Sequence, residues 1–315
     1  MSAPAFPGWD VVIVGAGPAG LSAALVLGRC RRRVLVCDRN TPRSWASKAM
    51  HGFLSRDGVD PAEFRRLARR ELKRYPGVHF WSGEVSKVTR GRGGFTVRLG
   101  ARAVRARKLL LATGVMDRVP KVEGMLELFG QSVFQCPYCD GWEFRGQPLA
   151  AYGKARRGLE MARSLTAWSP DIVLFTDGPA KLGRADRASL RRNRIEVVED
   201  RIARLASVRG RLRAVVLRDG RSIPRKALFF DTPARGQSTL TENLGCAFNR
   251  HGGVICGKYE ATSVPGVYVA GNVVRNVQLS IVAAGEGASA AFGINRALTR
   301  EDFERRATGA RRVSH

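Results

Sequence analysis

The chain has 315 residues, 44% of them hydrophobic and 8% aromatic, enough to bury one large core or two medium ones and too apolar for a disordered tail or a fibre. No run approaches the roughly 18 apolar residues of a membrane span, so a soluble globular protein is expected. Lys and Arg number 54 against 27 Asp and Glu, a formal net charge of +27. That alone suggests nucleic acid or an anionic surface, but the excess is mostly arginine scattered in pairs such as Arg65 and Arg66 or Arg191 and Arg192. Recognition needs a clustered patch with interleaved aromatics, so the charge reads as a solvated surface, with neither nucleic acid nor membrane as partner.

Taken in chain order, Val11 to Val14 is a β-branched run of the kind buried on both faces of a parallel sheet. No basic region precedes it and a glycine turn follows directly, so it is not expected to be a signal peptide, and a cytoplasmic protein is expected. The turn is Gly15-Ala16-Gly17-Pro18-Ala19-Gly20, then a helical pattern over Ala19 to Leu27, a second strand over Val34 to Cys37, and Asp38 at its end. A glycine turn between strand and helix, with an acid after the next strand, is the dinucleotide-binding pattern. Gly15 makes the tight turn, Gly17 admits a pyrophosphate to the backbone, Gly20 allows close packing, and Asp38 accepts from a ribose hydroxyl.

A further buried run, Leu109 to Ala112, ends in Thr113-Gly114. Cys136-Pro137-Tyr138-Cys139-Asp140-Gly141 follows, and Leu149 to Tyr152 starts a second βαβ unit with its turn at Gly153, a helix to about Ala167 and a strand over Ile172 to Phe175. Val264 to Asn272 reads as turn, strand and glycine, and a small-residue helix runs from Leu279 to Ile294. The last dozen residues read as frayed and basic. The class is therefore α/β with two Rossmann-like units.

Of six cysteines (Cys30, Cys37, Cys136, Cys139, Cys246, Cys256) only Cys136 and Cys139 are closely spaced. A zinc site would want a second close pair, and the histidines His51, His79, His251 and His315 are scattered. The pair reads as a redox dithiol that closes a disulfide or leaves one thiol as a reactive thiolate. Asp140 is a candidate proton donor and acceptor, or else a turn residue before Gly141. His51 is a second candidate, or else a structural histidine. The other four cysteines read as small buried or half-buried side chains.

The order GAGPAG, LLLATG (109–114), CPYCDG (136–141) and VPGVYVAGN (264–272) resembles the low-molecular-weight thioredoxin reductase family of flavoprotein disulfide oxidoreductases, over nearly the whole chain. The resemblance implies a discontinuous FAD domain (1–117 and 239–315) with a smaller NADP-type domain inserted (118–238), in a homodimer. It implies FAD held by Gly15, Gly17, Pro18, Ala19, Gly20 and Asp38, by Ala112, Thr113 and Gly114, and by Gly271, Asn272, Gln278 and Leu279. It also implies Cys139 beside the flavin, Cys136 exchanging with substrate, and Asp140 as acid and base.

Three departures from the family pattern stand out. The inserted domain's glycine turn reads Gly153-Lys154-Ala155-Arg156-Arg157-Gly158, with its middle glycine gone. Where reductases carry basic residues for a 2′-phosphate, Asp177 stands and is expected to repel it. The family's Ala-Gly-Asp becomes Ala270-Gly271-Asn272, whose amide still hydrogen-bonds a hydroxyl. With FAD and dithiol kept and the nucleotide turn damaged, the chain resembles the dithiol oxidases that close disulfides in gliotoxin-, holomycin- and romidepsin-type natural products, with a small dithiol as substrate and oxygen as acceptor. The alternatives are an NADPH-dependent reductase, a reductase fed by a protein donor, and a basic nucleic-acid-binding flavoprotein.

Overall fold

The computed structural model describes residues 8–232, 235–250, 252–274 and 277–311, so His251, His315 and Arg312 lie outside the described residues. The chain packs as two compact units, one of Met1–Arg43, Ala62–Met116 and Gly236–His315, the other of Ser44–Pro61 and Asp117–Arg235. The excursion 44–61, assigned from sequence to the first domain, packs with the second. Trp45 stacks 5.9 Å from Phe129, and the Gly130 backbone lies so close to the Ala46 carbonyl that a β-carbon would not fit between them.

The first unit is built on a seven-stranded sheet in the order Val78–Ser82, Val34–Asp38, Trp9–Val14, Arg102–Leu111, Gly94–Leu99, Val85–Gly91, with Val267–Val269 also pairing to Arg102–Leu111. The strands read as buried runs are parallel, Ile13 opposite Val36 and Leu110, and Tyr268 also pairs with Leu110. Val11, Val12, Ile13, Leu109, Leu110 and Leu111 have no solvent exposure, as a doubly covered parallel sheet requires. The edge hairpin Val85–Gly91 and Gly94–Leu99 is antiparallel, and its second strand alternates buried and exposed residues. The helix Pro18–Arg29 packs on Ser280–Arg311, where Gly287 lets the two backbones approach at Ala19.

That last helix runs well beyond Ile294, the end expected from sequence, and the segment read as frayed is helical to Arg311. Ion pairs hold it. Arg107, 6% exposed, reaches Asp10, Glu301 and Asp302, Lys108 pairs with Glu301, and Arg32 pairs with Asp302 at 2.7 Å.

In the second unit a five-stranded parallel sheet runs Glu196–Val198, Ile172–Phe175, Leu149–Tyr152, Ala227–Phe230, Val133–Phe134. The helix Ala155–Leu165 packs on it through Leu159, Ala162 and Leu165. A three-stranded antiparallel sheet, Ile202–Val208, Arg211–Leu217 and Ser222–Pro224, closes the other side of the core with Leu205, Val215 and Leu217. No described helix is long and apolar enough to cross a membrane.

Candidate active site

The redox segment sits between two sheet strands of the second unit. Cys136 is extended (φ −114°, ψ 102°) and Pro137, whose fixed φ suits a first helical position, starts a single turn, Pro137–Asp140. The Asp140 and Cys139 N–H groups both donate to the Cys136 carbonyl at 3.1 Å. This turn carries the two cysteines to a Cα separation of 5.2 Å, and they form a disulfide. No group of three His, Cys, Asp or Glu suited to a metal occurs among the described residues.

Asp140 directly follows Cys139 in the chain, and burial raises its carboxyl to about 7, with His51 pulling it down and Glu143 pushing it up. A half-buried acid that titrates near neutrality can both take and return a proton. His51 stands at the same place: its Nε2 is 3.6 Å from Glu143 Oε1 and its Nδ1 3.5 Å from Asp57 Oδ2. The structure thus brings Cys136, Cys139, Asp140 and His51 into one unit and adds Glu143 and Asp57, which the sequence reading passed over. Their signal was proximity: Glu143 lies three residues past Asp140, and Asp57 six past His51.

Tyr138 is 73% exposed and stands edge-on to Trp168, 5.4 Å away. Beside it opens a groove of about 610 Å³ walled by Gln135, Pro137 and Tyr138 and by Glu160, Met161 and Arg163 of the helix Ala155–Leu165.

In the first unit the glycine turn has the shape that a pyrophosphate needs. A β-carbon on Gly15 would strike the Ala112 carbonyl and one on Gly20 the Gly15 carbonyl, whereas one on Gly17 would meet nothing within 4 Å. The chain therefore closes on itself at the first and third positions and leaves the second open to a ligand. Pro18 and Ala19 start the helix, which has no side-chain cap, so its first N–H groups remain for an anion. Asp38 is held by Arg69 at 2.6 Å and accepts the Asn40 N–H, with lone pairs left for a ribose. Arg69 is a residue that the sequence did not flag.

Gly15 and Ala112 meet, Thr113 and Gly114 follow at the same strand end, and Gly271 packs against Ala19. The Gly271 N–H donates to Glu286 at 2.6 Å, which sets the turn that carries the half-buried Asn272. Gln278 accepts from Arg43 at 2.5 Å, and Leu279 gives its carbonyl to the first turn of the last helix. The open backbone at Gly17, the uncapped start of the helix Pro18–Arg29 and the Asp38 carboxylate fit the dinucleotide portion of FAD.

The second glycine turn differs. Gly153 and Gly158 still pack against each other, but Ala155 between them has φ +49°, a left-handed conformation that costs an L-residue roughly 1–2 kcal/mol. Its N–H donates to the Ala180 carbonyl at 2.8 Å. Ala180 is fully buried and its own N–H is anchored on Glu199 at 2.6 Å. Asp177 is committed to the fold as well. It accepts the Ile202 N–H, bonds Tyr152 and lies 3.8 Å from Arg201, which offsets the repulsion expected of it.

The remaining cysteines are dispersed. Cys37 and Cys246 are buried and Cys256 is half-buried; burial pushes the Cys37 and Cys256 thiols to about 12. Cys30 departs from the expectation of burial. It is exposed because it ends the helix Pro18–Arg29, just before Arg31 turns the chain with φ +58°.

Residues 9–287 match the pyridine nucleotide-disulphide oxidoreductase family. The chain is 30% identical over 298 residues to a probable thioredoxin reductase of Arthroderma benhamiae, covering 84% of this chain and 74% of that one. It is also 30% identical to the thioredoxin reductase tcpT of Claviceps purpurea, covering 84% and 86%. Among solved structures it is similar to HlmI, with a TM-score of 0.93 and 36% identity over 100% of this chain and 99% of that one. The putative thioredoxin reductase TrxB of Bacillus anthracis matches with a TM-score of 0.88 and 34% identity over 93% and 99%. With a glycine turn open for FAD and a closed Cys136–Cys139 disulfide, the chain belongs to the pyridine nucleotide-disulphide oxidoreductases and is an FAD-dependent, thioredoxin reductase-like disulfide oxidoreductase.

Proposed function

We propose that the enzyme is an FAD-dependent dithiol oxidase that closes a disulfide in a small-molecule or peptide natural product, with molecular oxygen as acceptor and no need for NADP. The observation that carries this over an NADPH-dependent reductase is the Ala155 N–H, donated to the chain's own Ala180 carbonyl at the turn where a pyrophosphate would bind.

In this reading Asp140 takes the proton of a substrate thiol. The thiolate attacks Cys136, the Cys136–Cys139 bond breaks, and Cys139 leaves as a thiolate. The second substrate thiol, deprotonated in turn, attacks the substrate sulfur of the mixed disulfide. Cys136 is released, and the product departs with its own disulfide while two electrons stay on the cysteine pair. Bound at the Gly15–Gly20 turn, FAD would supply the acceptor for that electron pair and its route to oxygen. The groove beside Tyr138, at about 610 Å³, lies within the roughly 300–1,000 Å³ of small-molecule sites. We further take the enzyme to be a homodimer, on the family resemblance, and to work in the cytoplasm.

The test is anaerobic reduction of the yellow protein by NADPH, NADH or a small dithiol in separate cuvettes, followed by air. Bleaching of the flavin band by the dithiol alone, with recovery in air, is the expected result. Bleaching by a nicotinamide nucleotide at a catalytically useful rate would make the enzyme a reductase.

A further inference from the structure

Three residues with side chains take left-handed backbone conformations beside the second glycine turn. Ala155 has φ +49°, Asp177 +49° and Lys181 +54°, a conformation that L-residues adopt only at a cost. Strain gathered in one place persists where other contacts over-determine it. Here those contacts converge on Glu199, the residue that follows the strand Glu196–Val198.

Glu199 grips the segment 177–181 twice. Its main-chain carbonyl accepts the Gly178 N–H at 2.8 Å, and its carboxylate accepts the Ala180 N–H at 2.6 Å. The same carboxylate oxygen accepts from Arg187 at 2.9 Å, a side chain of the helix Arg184–Arg192. Ala180, so fixed, directs its carbonyl at the Ala155 N–H, 2.8 Å away. A carbonyl oxygen thus stands where a pyrophosphate oxygen would accept, and it would repel one brought there.

The surroundings otherwise suit a phosphate. Lys154 Nζ and Arg201 Nε each lie 3.6 Å from the position of a β-carbon on Gly178, so two cations flank the segment. The helix Ala155–Leu165 starts without a side-chain cap, and Asp177, the segment's one acid, is turned onto the Ile202 N–H.

We propose that Glu199 is the latch that bars dinucleotides from this turn. With its carboxylate removed the segment 177–181 withdraws, and once Ala155 is also glycine the turn takes the ADP half of a nicotinamide nucleotide. The inference rests on the oxidase reading above and deepens it, by naming the residue that sets the choice of electron donor. Glu199 is a positioning residue, because it acts through Ala180.

The experiment uses the full-length, FAD-loaded enzyme, isotope-labelled at its alanine nitrogens. Ala155 and Ala180 report the turn, and Ala150 and Ala151 report the strand Leu149–Tyr152 beneath it. E199A is expected to speed hydrogen exchange at Ala155 and Ala180 about tenfold or more, as loss of a charge-assisted hydrogen bond implies, with Ala150 and Ala151 unmoved. E199Q keeps an acceptor for the Ala180 N–H and is expected to stay near wild type. Unchanged exchange at Ala155 in E199A overturns the latch, and so does faster exchange at all four alanines, which would report a general loosening of the unit.

Binding of NADPH and NADH to the same proteins is then followed by equilibrium dialysis. Saturable binding is expected in A155G/E199A and in neither single variant. Binding by A155G alone would remove Glu199 from the account, and no binding by a double variant with fast exchange at Ala180 would overturn the assignment to nucleotides. Every variant is expected to exchange with dithiothreitol at the wild-type rate. Failure of the dithiol-reduced wild type to reoxidise in air would end the oxidase reading and leave the latch result standing.

Discussion

At the scale of single residues the proposed chemistry rests on the sulfurs and one acid. Because the pair must open and close in every turnover, Cys136→Ser and Cys139→Ser are each expected to abolish dithiol-dependent oxygen uptake with FAD still bound, read as retained flavin absorbance. Substantial oxidase activity in either variant would refute the cycle. Asp140 makes a separate prediction about stability. Burial raises its carboxyl from 3.8 to about 7, so the folded protein holds a proton that the unfolded chain has already released. Stability from this group is full below about pH 4 and is lost as pH rises to about 7, an effect of about 2–4 kcal/mol. Asp140→Asn removes that penalty and is expected to raise Tm at pH 8 and leave it nearly unchanged at pH 4, while exchange with a dithiol collapses. The redox pair and Asp140 were legible from six consecutive letters, since a CxxC followed by an acid brings its groups together by local geometry alone. Glu143 and Asp57 were not, because their meaning depends on His51, about ninety residues from the disulfide in sequence.

At the scale of elements, the two glycine turns show how similar patterns diverge. In the first, Gly17 faces open space. In the second, Ala155 carries a methyl group and its N–H is already spent on Ala180. The sequence points to the missing glycine and to Asp177; the structure adds that the segment Asp177–Lys181 presents the Ala180 carbonyl to the turn and is pinned through Glu199. Ala155→Gly alone is therefore expected not to confer reduction by NADPH. Rapid flavin bleaching in that variant would show that the methyl group was the whole obstacle. The last helix makes the second element-scale case. Its extension past Ile294 depends on Arg107, a buried cation shared by Asp10, Glu301 and Asp302. Glu301 and Asp302 keep Lys108 and Arg32 as partners, so Arg107→Met, which removes the charge-assisted hydrogen bonds of one buried cation, is expected to cost about 1.5–3 kcal/mol in denaturant unfolding.

At the scale of the whole molecule, the net charge of +27 invites a nucleic-acid reading, but acids are interspersed among the basic residues. Arg39 with Glu84, Arg157 with Asp231, Arg187 with Glu199 and Arg221 with Asp200 all meet within 3.3 Å. Any retardation of DNA in a gel is expected to be indifferent to sequence and to vanish by about 0.2 M salt, as counterion release requires. Binding that survives such salt would assign the surface a partner.

By itself the sequence determined the parallel strands, the order of the two dinucleotide-type units, the open turn at Gly17 and the redox pair, because each is written in contiguous letters whose backbone geometry is local. The tertiary structure alone decided that 44–61 packs with the redox unit, that His51 lies between Glu143 and Asp57, that Arg69 holds Asp38, and that the Ala180 carbonyl occupies the second glycine turn. Those facts follow from burial and from hydrogen-bond partners distant in the chain, and no local pattern encodes which distant partner a side chain will meet.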